Sequence, residues 1–323
     1  MPAAIPATKR WEEEARFFDA VAKRTGSEVA PLAPAVVQRY SGAARSLYLK
    51  EFLFQLIGPL RGKRILDVGC GDGENAVLLA RLGAKVTGVD VSPKAIEVAR
   101  QRAAVNDVGE RTDFVCAPLE TADLPAATCD VIWVDNVLHH VIPTLDETLE
   151  RLCGWARPGA LLLFAEPTNL NPALRKVRFL VPVHTEVTPG ERPLERKELE
   201  IVRAHLSDLQ MRHFNFLGRL NRFVLPCLQY ENAPRSRRLA ADALAAIDQL
   251  VLGVRGLESL GGMGVLYGHA PGRPASGLQY PREDARELVG RERLLQHRVE
   301  VRPPGALADG HRSVPADQDE LRL

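Results

Sequence analysis

The apolar run Arg64-Ile-Leu-Asp-Val68 leads through the turn Asp67-Val-Gly-Cys-Gly-Asp-Gly73 directly into a helical stretch closed by Gly83. Alternate glycines between a strand and a helix constrain this chain more than any other feature. Glycine reaches positive φ without a Cβ penalty and lets a bound molecule approach the backbone, so the turn reads as a ligand cradle. The pattern then repeats. Lys85–Asp90 is the next strand, and Ser92-Pro93 supplies an N-cap and a first-turn proline for a helix to about Ala104. Thr112–Cys116, Cys129–Val134 and Ala160–Ala165 read as the third, fourth and fifth strands. Strands spaced by helices predict parallel βαβ units with right-handed crossovers.

Glycine turns of this kind serve more than one ligand. The dinucleotide fingerprint G-x-G-x-x-G places a pyrophosphate on the helix N-terminus. Counted from Gly69, its third glycine falls at Glu74, whose carboxylate would oppose a pyrophosphate. Asp90, closing the second strand, can accept from both hydroxyls of a ribose. Hydrogen bonds to a charged group contribute roughly 1.5–3 kcal/mol each. The plainer alternative is that the glycines only shape a tight turn and Asp90 caps a helix.

Trp11, Ala15, Phe18 and Ala22 share one helical face, which predicts an amphipathic helix over residues 10–24. A loop from Gly26 to Pro34 and a second helix over 43–57, ended by Gly58-Pro59, complete an N-terminal helical segment, 1–60. A domain follows over 61–270. Pro167, Pro172, Pro182, Pro189 and Pro193 mark an insertion at 167–193. Then come a helix over 194–206, a strand over Met211–Leu217, a helical insertion over 218–258 and a last strand over Gly264–His269. Beyond Pro271 little periodic apolar content remains, so 271–323 reads as a largely disordered tail.

Composition narrows the function classes. A formal net charge of +1 supplies no attraction for nucleic acid. The five cysteines (Cys70, Cys116, Cys129, Cys153, Cys227) form no Cys-x-x-Cys pair, which argues against a disulfide framework or a cysteine zinc site and fits a reducing compartment. The N-terminus lacks the apolar core of a signal peptide. No apolar run reaches the roughly 18 residues that a transmembrane helix needs. A cytoplasmic protein is expected.

ILDVGCGDGENAVLLARLGAKVTGVDVSPKAIEVAR, CDVIWVDNVLHHV and RPGALLLFAEP together resemble the class I S-adenosylmethionine-dependent methyltransferases, and within them the small-molecule, type 11 enzymes similar to those of ubiquinone and menaquinone biosynthesis. The resemblance covers roughly Trp11 to Ala165. It implies a doubly wound α/β fold, a seven-stranded sheet of order 3-2-1-4-5-7-6, with cofactor and substrate above the strand C-termini. Carried over, it implies that Gly69, Gly71 and the backbone of Cys70 line the methionine portion of S-adenosylmethionine. Asp67 would orient the amino group, Asp90 would take the ribose, Val91 would lie against adenine, and Asn136 would face the methionine portion. One position departs from the family. Pro118 stands where an Asp often accepts from the adenine amino group, which leaves that task to the Leu119 backbone or to Glu120.

Methyl transfer depends mainly on positioning donor and acceptor, and a base is needed only for a protonated acceptor. His140, and after it His139, stand where family enzymes place a residue near the reacting centre, with a pKa suited to proton removal. Packing against the following helix is their plain alternative. Asp135 and Glu166 end neighbouring strands as magnesium ligands do, but Asp135-Asn136 follows the fourth strand where metal-dependent catechol-type enzymes use the fifth, so no metal is expected. Arg175, Lys176 and Arg178, among Leu174, Val177 and Leu180, are either a solvated helix face or an attraction for an anionic substrate or a membrane surface. Leu244, Ile247, Leu250 and Val251 stand at helical spacing as core, as a dimer face, or as a wall for an apolar substrate. Tyr40 would belong to a lid. No Asn/Asp-Pro-Pro-Tyr/Phe follows the fourth strand, which disfavours adenine or glutamine as acceptor. A small-molecule acceptor is expected. Two rivals remain: a cofactor-binding protein without transferase activity, and a Rossmann-type NAD oxidoreductase.

Overall fold

The computed structural model describes residues 7–25, 29–41, 45–171, 191–225 and 230–272. The chain divides into two units, Met1–Pro274 and Ala275–Leu323, and every described residue lies in the first. The tail expected from 271 therefore lies almost wholly outside the described residues, as do Arg175, Lys176, Arg178 and Cys227.

Three helices precede the sheet: α1 (Ala7–Thr25), α2 (Pro34–Ser41) and α3 (Leu49–Ile57). Then follow β1 (Arg64–Val68), α4 (Glu74–Arg81), β2 (Lys85–Asp90), α5 (Pro93–Val105), β3 (Thr112–Cys116), β4 (Cys129–Asp135), α6 (Leu145–Trp155) and β5 (Ala156–Pro167). The second half adds α7 (Arg196–His205), β6 (Gln210–Phe214), α8 (Arg235–Leu252) and β7 (Met263–His269). The sheet order is β3-β2-β1-β4-β5-β7-β6, with β7 antiparallel to both its neighbours and the other pairings parallel. This is the order that the resemblance implied.

Alternation along each strand sends side chains to two cores. Ile65 and Trp133 join the layer under α3 and α4, whereas Leu66, Val68 and Ile132 join the layer under α6 and α7. Both layers are closed, so β1 and β4 read as nearly continuous apolar runs. Trp133 is fully buried and meets Phe54 of α3 at 5.5 Å between ring centroids.

Several expectations need correction. The helix expected over 43–57 begins only at Leu49, and a separate helix, α2, occupies Pro34–Ser41. Pro34 starts it, where a missing N–H costs nothing. The strand expected to run to Leu217 ends at Phe214, because Asn215 turns into the left-handed region (φ 63°). The Asp248 carboxylate then takes the N–H groups of Phe216 (3.0 Å) and Leu217 (2.5 Å). Conversely, β5 is longer than expected at both ends, since Ala156 pairs with Cys129 of β4 and pairing with β7 continues to Pro167.

The N-terminal helices are tied down by ion pairs. Glu51, buried in α3, accepts from Arg39 and Arg45 at 2.9 Å each. Arg45 also reaches Asp242 of α8 at 2.9 Å, where the hydroxyls of Tyr48 and Tyr230 donate too. Among the described residues, no helix is long and apolar enough to cross a membrane.

Candidate active site

A cleft of about 660 Å³, counting its open mouth, lies at the C-terminal ends of β1, β2 and β4. Its floor is Gly69, Gly71, Val89, Asp90 and Val91, and the β3 side contributes Pro118, Leu119 and Glu120. Asn136, Val137 and His140 close the β4 side. Trp11, Glu14 and Phe18, on one face of α1, form the roof. Two acids of this region hold α1 in place. Asp19 accepts from Ser92 Oγ (2.6 Å) and from the Lys94 N–H (3.0 Å) at the start of α5, where a helix dipole favours a negative charge. Glu120 pairs with Arg10.

The glycine turn is built for this geometry. Gly69 and Gly71 both have positive φ (63° and 51°). A Cβ at Gly69 would overlap Val137, whereas one at Gly71 would meet no protein atom within 4 Å. Asp90 braces the turn, since its carboxylate accepts from the Gly71 N–H at 2.9 Å and the Ser92 N–H at 2.8 Å. Burial raises its pKa, and these N–H groups offset part of that rise. Each carboxylate oxygen keeps a second lone pair for a ligand hydroxyl.

The other predicted residues divide. Val91, Leu119, Glu120, Asn136 and His140 line the cleft; Asp67, Cys70 and His139 do not. The Cys70 N–H donates to the Val89 carbonyl (3.0 Å), and its thiol is buried. Asp67 lies beneath the turn, 1% exposed, with Oδ2 lacking a hydrogen-bond partner. Burial, and then Asp135 beside it, push its carboxyl well above the usual range. Asp135 accepts from Asn75 (3.1 Å) and Asn136 (2.8 Å). The Leu119 carbonyl accepts from Arg151 (2.9 Å), and Glu120 is engaged by Arg10 and Thr144, so both candidates for the adenine end already have protein partners. Tyr40 packs on Phe54 with ring centroids 4.8 Å apart, and it does not line the cleft. Ile247 and Leu250 of α8 face solvent, so they wall no part of it.

Glu166, fully buried, organises the β4 loop. One carboxylate oxygen accepts from the Val137 and Leu138 N–H groups at 2.8 Å, and the other meets His139 Nδ1 at 2.8 Å. His140 Nδ1 lies 2.5 Å from Glu191. Burial lowers the His140 pKa, but Glu191, Glu14 and Glu166 overcome it, and the net direction is upward. Two residues of this cluster escaped the sequence reading. Glu14 lies beside the apolar face of α1, with its carboxyl pushed up to about 7 chiefly by burial. Three-residue spacing from Trp11 to Glu14 was its one signal. Glu191 stands near the end of the proline-marked insertion and has no local signature.

A seven-stranded sheet with one reversed strand next to its edge, with a glycine cradle after its first strand, defines a class I methyltransferase fold. The sequence agrees over part of its length: residues 66–164 match the family model described as "Methyltransferase domain". It is similar to the ubiquinone biosynthesis O-methyltransferase of Methylocella silvestris, with 41% identity over 124 residues, 38% of this chain and 46% of the relative. It is also similar to the 27-O-demethylrifamycin SV methyltransferase of Amycolatopsis mediterranei, with 36% identity over 128 residues, 37% of this chain and 47% of the relative. The chain thus matches about half the length of these curated relatives. A solved SAM-dependent methyltransferase from Methanosarcina mazei aligns with 71% of this chain and 100% of its own, at a TM-score of 0.46 and 16% identity.

Proposed function

We propose that this chain transfers the methyl group of S-adenosylmethionine to a hydroxyl of a small molecule held under α1. The observation that carries the reading is that a glycine cradle braced by Asp90 opens into the same cleft as His140. The residues fit the donor. Gly71 leaves room for a ligand where a Cβ would stand, and Asp90 keeps lone pairs for ribose. Val91 and Pro118 offer apolar surface for adenine. When bound, the donor supplies an electrophilic methyl carbon on sulfonium sulfur and leaves as a neutral thioether.

The chain's own part is to place and deprotonate the acceptor. His140 borders the cleft and is positioned to take the hydroxyl proton, with Glu191 beside its ring. Trp11 and Phe18 roof the cleft with aromatic surface, which favours an apolar acceptor and keeps water out. We read the N-terminal helices, 1–60, and the insertions at about 167–193 and 218–258 as a lid over a domain at 61–270, and the protein as cytoplasmic.

Formation of S-adenosylhomocysteine by the purified chain, on a panel of phenolic and other hydroxylated metabolites, tests this. Turnover on a member of the panel supports the reading. Tight cofactor binding without turnover on any extract would favour a binding protein. Binding of NAD(H) in place of S-adenosylmethionine would overturn the donor assignment.

A further inference from the structure

The pair of histidines after β4 has a neighbourhood that proton transfer alone does not require. One ligand-capable atom from each of His139, His140 and Glu191 lies within 4.8 Å of the other two. The imidazole rings stand 4.2 Å apart between centroids, and Glu191 is almost fully buried. We propose that these three side chains form a binding site for a transition-metal dication at the acceptor side of the cleft.

Three features support it. The first is the donor set. Two imidazoles and one carboxylate suit zinc and its first-row neighbours, whereas magnesium and calcium prefer oxygen alone. The second is the state of His139. Glu166, a carboxylate with no solvent exposure, meets Nδ1 at 2.8 Å, and with the ring proton on that nitrogen the Nε2 lone pair is left for a cation. A carboxylate behind the far nitrogen is the arrangement that orients a metal-bound histidine. The third is access. His140 borders the cleft, so a cation with three protein ligands keeps open positions that face an acceptor oxygen.

The sequence argued against a metal from its scattered cysteines and from Asp135 and Glu166 at strand ends. Glu166 is indeed engaged by the β4 loop, and it enters this site behind the ligands. Within the methyl-transfer reading, a bound cation would acidify the acceptor hydroxyl directly and make His140 a ligand in place of a base. Cation binding itself does not rest on that reading.

The test is titration of the metal-free full chain with zinc chloride in a calorimeter, with cobalt(II) as a second probe read by its visible absorption. One zinc per chain is expected, with no binding of magnesium at the same concentration. Glu166→Gln should weaken zinc by roughly the 10–100-fold that loss of an outer partner costs, and His139→Ala, His140→Ala and Glu191→Gln by more. Glu191→Gln is nearly isosteric, so it keeps the test valid if a histidine variant fails to fold. The site is overturned if the wild-type chain binds no zinc, or if the folded variants bind it as tightly as wild type. S-adenosylhomocysteine affinity, measured on the same samples without metal, separates failure of this site from failure of the methyl-transfer reading.

Discussion

Two alternate glycines of the turn offer a discriminating perturbation of the cradle. In Gly71→Ala the new methyl meets no protein atom within 4 Å, at a residue that lines the cleft. Its cost in the free protein is then that of a left-handed alanine, about 1–2 kcal/mol. For a domain of this size that lowers Tm by roughly 2–8 °C. The same methyl occupies space meant for the donor, so S-adenosylhomocysteine affinity should fall at least about tenfold, or 1.4 kcal/mol. Gly69→Ala should behave differently. Its methyl would overlap Val137, whose N–H is held by Glu166 at 2.8 Å and which cannot easily withdraw. Overpacking adds about 1–3 kcal/mol to the left-handed cost, so stability suffers most there. Calorimetric affinity and thermal melts of both variants are the assay. A folded Gly71→Ala chain with wild-type affinity would refute the placement of the donor on this turn.

Other perturbations follow from the same geometry. Asp90→Ala should weaken S-adenosylhomocysteine binding by about 2 kcal/mol or more, and also lower Tm, because the Gly71 and Ser92 N–H groups lose a charged acceptor; an unchanged dissociation constant in a folded variant removes the ribose role. His140→Ala should lower turnover with donor affinity little changed, and equal turnover removes it from the reaction. Glu198 is held below the ordinary glutamate pKa: burial alone would raise it, but hydrogen bonds from Arg192 and the Glu195 N–H outweigh burial. A depressed carboxylate stabilises fully above its unfolded pKa, and that contribution is lost as pH falls through the folded value. Thermal melts from pH 6 to pH 3 should therefore decline less steeply for Glu198→Gln than for wild type, and parallel curves would dismiss the pair. Glu51→Ala leaves Arg39 and Arg45 without their shared buried acceptor and should cost about 3–5 kcal/mol by denaturant titration; a loss under 1 kcal/mol would show the pairs to be incidental.

Local sequence determined much of this protein. The run Arg64–Val68, the turn to Gly73 and the strand ending at Asp90 announce themselves, because glycine, apolar alternation and capping act over a few neighbouring residues. Glu74 at the third fingerprint position turned the ligand choice away from a dinucleotide by charge alone. The sheet order followed once those elements resembled a known family. What the residues could not announce depends on distant parts of the chain. Glu166 looked like an acid at a strand end, and only its burial beneath residues 137–139 makes it the brace of that loop. Glu120 looked free to bind adenine until α1 brought Arg10 to it. Glu14 carries only its spacing from Trp11 and Glu191 carries no signature where it stands, yet they converge on His140 from segments far before and after it in the sequence. A backbone turn is specified by torsions within the residues that form it. A pair of charges 110 positions apart, like Arg10 and Glu120, exists only once the sheet and its helices have closed around them.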